Sequence, residues 1–207
     1  MGCTPFAVKD AASASRNLAV NVDHAGLYVP VHSLDGCRPT YRVSAEFTPQ
    51  PTAAVVLFRI QGSATKTIRI ARIAVEGVST ANANVPIALQ RESTAGAGGT
   101  PVTPTVAKLD PAFAAASAVV KHFTTTLVAA GTAVGGPLWS GYLTTNVVTT
   151  PTLAAPRMPI FPEVGSQAQS IVLRGTGDYL VLSNTNAGNL SAGTKVAYSV
   201  EWIEDDT

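Results

Sequence analysis

At 207 residues the chain is long enough for one large β domain, or for a domain with an arm, and a core of that size needs neither disulfide nor metal to hold it. Lys and Arg number 14 against 13 Asp and Glu, for a net charge of +1 with no basic run, which argues against a protein that binds nucleic acid by neutralising phosphates. Charged residues are 13% of the chain, about half the ordinary ~25%, so Thr, Ser, Asn, Gly and Ala must cover the surface. Such a surface repels its neighbours little and suits dense packing between subunits, although a secreted β domain shows the same balance.

The opening stretch MGCTPFAVKDAAS lacks a basic segment followed by an apolar core, so no signal peptide is expected. Phe6 stands where N-myristoylation asks for Ser or Thr. No apolar run reaches about 18 residues, so no membrane span is expected. Two cysteines, Cys3 and Cys37, make no disulfide framework; they are expected as inert thiols, with a bond between them left open.

Residues 1 to about 40 read as an irregular arm, weakly helical over Ala11 to Ser15 and extended around Leu27 to Val31. The domain is then expected over 41–207. Tyr41, Val43 and Ala45 alternate with Arg42, Ser44 and Glu46, the pattern of a half-buried strand, which Pro49 and Pro51 end. Ala53 to Gln61 is nearly continuous in apolar residues and predicts a central strand. Lys66 to Arg91 predicts two consecutive antiparallel strands, read as a hairpin. Within the first, Ile68 and Ile70 have one parity and Ile73 and Val75 the other. Either a β-bulge near Ala71-Arg72 brings all four inside, or the strand is buried on both faces.

Glu92 to Asp110, rich in Gly and Pro, predicts a long loop without regular structure, of the kind that tends to carry function. Ala112 to Thr124 predicts a loop or helical turn to Ala116 and a strand after it. Thr125 to Pro137 is a further connection. Leu138 to Leu143 is a strand anchored by Trp139 and Tyr142. The prolines from Pro151 to Pro162 allow only extended or edge structure. Ser170 to Arg174 and Tyr179 to Ser183, across Gly175 to Asp178, predict another hairpin. Asn184 to Gly193 predicts a turn. Lys195 to Ile203 alternates most cleanly, with Val196, Tyr198, Val200 and Trp202 facing inward, and Glu204 to Asp206 reads as a solvated tail. About eight strands with long connections predict an all-β fold: a two-sheet antiparallel sandwich of jelly-roll or similar Greek-key topology. The strand order is not legible at this stage.

No residue pattern predicts catalysis. His24, His32 and Cys37 have no zinc-like spacing, and His122 stands alone. Gly62-Ser63-Ala64 and Gly165-Ser166-Gln167 lack the strained serine elbow of hydrolases. Gly96 to Gly99 is followed by no Lys-Ser/Thr and so reads as a turn, not a phosphate cradle. The sequon Asn189-Leu190-Ser191 matters only in a secreted protein. No cofactor and no metal is expected. Trp139 and Tyr142 are the candidates for stacking on a sugar ring, with core packing as their ordinary role.

The blocks GSATKTIRIARIAVEGVSTA, ALQRESTAGAGGTPV, SAVVKHFT, LVAAGTAVGG, QSIVLRGTGDYLVLSN and AGTKVAYSVEWIE, in that order across roughly Ala53 to Glu204, resemble a family of small β-sandwich structural proteins of tailed bacteriophage virions. The resemblance rests on several short blocks, not on one diagnostic motif. It implies an oligomeric virion component without catalysis, assembled in the host cytoplasm. Taken with the composition, the expectation is a capsid decoration or cement protein, or a head-fibre or tail-associated one. Its partners would be copies of itself, as a trimer, and other virion proteins such as the major capsid protein, with no nucleic acid and no membrane. The arm and the loops at 92–112 and 144–168 are the expected contact elements. The alternative is a receptor- or carbohydrate-binding module on the particle surface that uses Trp139 or Tyr142.

Overall fold

The computed structural model describes residues 7–9, 15–17, 38–49, 56–125, 127–147, 157–161, 170–185 and 190–206. Cys3, Cys37, His24, His32, Gly165, Asn189, most of the expected arm and the prolines from 151 to 156 lie outside them. The chain divides into two units, Met1–Arg38 and Pro39–Thr207. In the first, β1 (Ala7–Lys9) pairs antiparallel with β2 (Ser15–Asn17).

The second unit is all-β, with no helix among the described residues. Eight strands make its frame: β3 (Thr40–Phe47), β4 (Val56–Gln61), β5 (Lys66–Ser79), β6 (Ala83–Glu92), β12 (Trp139–Val147), β14 (Ile171–Arg174), β15 (Tyr179–Asn184) and β16 (Lys195–Asp206). Smaller strands fill the connections: β7 (Ala97–Gly98), β8 (Pro101–Val102), β9 (Ala107–Lys108), β10 (Val119–Phe123), β11 (Leu127–Ala129) and β13 (Met158–Phe161). The eight join in antiparallel pairs from the outside of the sequence inward: β3 with β16, β4 with β15, β5 with β14, β6 with β12. Successive pairs fall alternately into two sheets, β3-β16-β5-β14 and β4-β15-β6-β12. That is the order of a jelly roll, two Greek keys wound as one sandwich.

Alternation explains why these stretches are strands. In β16, Val196, Val200 and Trp202 are fully buried and Tyr198 nearly so, between β3 on one side and β5 on the other. Removing those four side chains from water contributes about 6–10 kcal/mol before chain entropy is counted. Val85, Ile87 and Leu89 of β6 and Phe58 and Ile60 of β4 supply the facing layer. As expected from its apolar run, β4 is interior to its sheet, between β10 and β15.

The phase shift in β5 is a bulge. Glu201 of β16 pairs with Arg72 and Trp202 with Ile70, which leaves Ala71 without an opposite residue. Ile68, Ile70, Ile73 and Val75 therefore all face the core, while Arg72 is exposed. A second local constraint joins the sheets at one corner, where Asn146 and Val147 of β12 run parallel to Val78 and Ser79 of β5. A Cβ at Gly77 would come within 2.9 Å of Thr145 Cγ2, so the close approach of β12 requires glycine there.

Three expectations are corrected. The runs 66–79 and 83–92 are consecutive strands but not a hairpin: β5 is paired by β16 on one edge and by β13, β14 and β12 along the other, so β6 crosses into the opposite sheet. The same holds for β14 and β15, which flank Gly175 (φ 75°) but pair with β5 and with β4 and β6 respectively. Period-2 patterning identifies a strand and its inward face; it carries no information about the partner. The third correction is the acidic terminus, of which only Asp206 is solvated. β16 continues to Asp206, with Asp205 ion-paired to Arg69 and Asp206 to Lys66, and Glu204 is buried.

Candidate docking surface

The connection at 92–112 departs from the expected unstructured loop because its backbone finds three sheet partners. β7 pairs with β11, β8 with β10 and β9 with β3. Ser93 N–H donates to Thr132 O at 2.8 Å and Val134 N–H to Arg91 O at 2.8 Å, laying the segment after β11 along the end of β6. Two-residue ladders in Gly- and Pro-rich sequence leave no periodicity to read. β8 and β9 thus extend sheet edges, and the stretch at Gly96 covers the outer face of β4 at Arg59.

Beneath that cover lies a small apolar cluster of Val56, Phe123, Tyr179 and Val181. The Arg59 guanidinium sits 5.3 Å from the ring centroids of both Phe123 and Tyr179, and its Nη1 donates to Gly96 O at 3.3 Å. Cation–π contact and the carbonyl together tie the loop to the sheet. Glu92 is buried beside them, and its carboxyl is raised above the usual range by desolvation, partly offset by the charge of Arg59. None of this carries a reactive geometry; it secures the loop.

The strongest anchor of a connection is Glu204. Its carboxylate accepts from Ser117 N at 2.9 Å, Ala118 N at 3.0 Å, Ser117 Oγ at 2.6 Å and Trp202 Nε1 at 3.0 Å. Tyr41, stacked on Trp202, donates its hydroxyl proton to Ala114 O. The segment entering β10 is thereby stapled to the last strand.

Trp139 and Tyr142 do not form one platform. Three residues apart on β12, they face opposite sides of the sheet. The Trp139 indole is half-buried, packs against the core and lies over Gly141, where a Cβ would come within 2.6 Å of the ring. Tyr142 is 64% exposed and is a surface residue, against the expectation that it anchors its strand. Its alternation parity with Leu143, which is buried, distinguished the two positions in the sequence.

His122 is buried, stacked on Phe47 at 4.5 Å, with Nδ1 3.2 Å from Tyr198 Oη. Burial lowers its pKa and raises that of Tyr198. Among the described residues no group of three or more His, Cys, Asp or Glu is placed to hold a metal ion, and no helix is long and apolar enough to cross a membrane.

The outer face of the β3/β16/β5 sheet holds an open cavity of about 300 Å³, lined by Ser44, Glu46, Ala74, Glu76, Arg157 and Ala197 among others. Ser199 beneath it receives a hydrogen bond from Arg157. Charges around it are largely paired within the sheet, Arg42 with Glu201 at 3.2 Å and Lys195 with Glu46 at 3.1 Å. Exposed large apolar side chains among the described residues are Val102, Leu109 and Val119, and Val134, Leu138 and Tyr142 before and along β12.

What the fold and these surfaces define is a jelly-roll domain with secured loops and a few exposed apolar side chains. Compared with known proteins, the chain matches no family model, no curated protein and no solved structure.

Proposed function

We propose that this chain is a non-enzymatic structural protein of a tailed-phage virion, a capsid decoration or cement protein or a head-fibre or tail-associated one, that works by docking. In this reading it assembles as a homotrimer in the host cytoplasm and seats on other virion proteins such as the major capsid protein. The observation that supports it best is the jelly-roll pairing, first strand with last through to the innermost two, in a chain of unusually low charge. A sandwich of this kind presents broad, chemically mild surfaces, and mild surfaces pack against copies and neighbours with little desolvation cost. Light scattering on purified protein, with co-sedimentation against purified capsids, tests the proposal. A mass near three times 21.3 kDa and capsid binding are expected; a monomer that ignores capsids contradicts it.

The second reading, a receptor- or carbohydrate-binding module, is favoured by one feature, the exposed Tyr142 ring. Trp139, half-buried against the core, does not add to it. A glycan-array signal lost in Tyr142→Ala, with the fold intact, would favour this reading.

A further inference from the structure

The edges of the two sheets are treated unequally. An exposed strand edge offers unpaired N–H and C=O groups to any other chain, and proteins blunt such edges by shortness, proline or charge. Three edges here follow that practice. β8 is two residues long and contains Pro101; β9 is two residues long and carries Lys108; β13 is four residues long, follows Arg157 and contains Pro159. β12 does not. It is nine residues long, and from Trp139 to Thr145 it pairs with β6 on one side. Among the described residues its other side meets a strand only at Asn146 and Val147.

Charge is withheld from the same place. From Phe123 to Pro156, 34 consecutive residues contain no Asp, Glu, Lys, Arg or His, in a chain with 27 Lys, Arg, Asp and Glu elsewhere. Within this stretch Val134, Leu138 and Tyr142 are 47%, 50% and 64% exposed, and Ser140 and Thr144 share the outward side of β12 with Tyr142. A surface that meets a foreign partner gains from complementary charge, which steers encounter and sets specificity. A surface that lies against the symmetry axis of an oligomer, a three-fold included, brings like residues close together, and any charge there sits near its duplicates. An uncharged, apolar, unpaired edge suits the second case.

We propose that the outer edge of β12, with Leu138, Ser140 and Tyr142 beside it, is where a second copy of this chain seats. This rests on the oligomeric reading above and names the surface that carries it. Lys introduced there converges with its copies around the symmetry axis, so Leu138→Lys/Tyr142→Lys should drop the light-scattering mass from the wild-type multiple to 21.3 kDa. Ser140→Lys, at an exposed position on the same side, should do likewise and stands in should the double variant fail to fold. Val119→Lys, at an exposed apolar residue of β10 on the side of the sheet away from β12, should keep the wild-type mass. Wild-type mass in both β12 variants overturns the inference while leaving the oligomer intact through another surface. A wild-type protein that stays at 21.3 kDa from micromolar to millimolar concentration removes the oligomeric reading and this one with it.

Discussion

β16 and β12 are both long strands beside β5, β16 beginning and β12 ending where β5 reaches Val78, yet they are built for opposite purposes. Every position of β16 from Val196 to Ile203 has a partner on both sides apart from the bulge, its inward residues are fully enclosed, and even its acidic end is consumed by Ser117, Arg69 and Lys66. Among the described residues β12 is paired on one side only from Trp139 to Thr145, and it leaves Tyr142 in solvent. The difference separates two tasks in one fold: β16 holds the sandwich closed, and β12 leaves surface for another molecule. Damage to the first should appear as lost stability; damage to the second should leave stability alone.

The largest effect expected is Trp202→Ala. The indole is fully buried, stacks on Tyr41 at 5.8 Å and bonds Glu204, so its loss should cost about 3–5 kcal/mol in urea unfolding. A cost under about 1 kcal/mol would mean that β16 is not the closure of the fold. Next comes Glu204→Ala, which strands the N–H groups of Ser117, Ala118 and Trp202 without their acceptor. A loss of about 3 kcal/mol is expected, since each unsatisfied buried donor costs about 1–3 kcal/mol. Retained stability would show that the 114–118 segment is held by something else.

A smaller effect comes with pH. Burial depresses the His122 pKa below its ordinary value near 6.5, so on acidification the unfolded chain takes up the proton first. Stability is therefore full above about pH 6.5 and falls as pH drops through that value toward the folded pKa, by at most about 1.4 kcal/mol per unit. Glu92 acts in the opposite sense at lower pH. Its raised folded pKa means that stability recovers as pH falls through that value toward its ordinary pKa near 4.5. His122→Phe should flatten the first limb in a urea titration between pH 5 and 8; an unchanged slope would assign it to another group. The smallest effect is Tyr142→Ala, expected to change monomer stability by under about 0.5 kcal/mol because the ring touches little. A larger loss in thermal unfolding would mean that Tyr142 belongs with β16 in holding the fold.

The side of the comparison that concerns stability was largely legible in the sequence. The alternation of Val196, Tyr198, Val200 and Trp202 marked β16 as core, and the parity change between Ile70 and Ile73 marked the bulge at Ala71. Pairing was not legible, because two adjacent alternating runs look alike whether they pair with each other or part into opposite sheets. The fate of Glu204 was hidden for a similar reason: its donors at Ser117 and Ala118 lie 87 and 86 residues away, and an acidic terminus normally reads as solvated. For the docking side, Trp139 and Tyr142 were singled out as a pair by residue type, while their odd spacing along one strand already placed them on opposite faces.

Amide hydrogen exchange, followed as a function of protein concentration, tests the division between the two strands most directly. Peptides covering β16 should be protected to the same degree at every concentration, while those covering Trp139 to Thr145 should gain protection as concentration rises and copies occupy the edge. Uniform protection of β12 at the lowest concentration, or exchange there that ignores concentration throughout, would contradict the account.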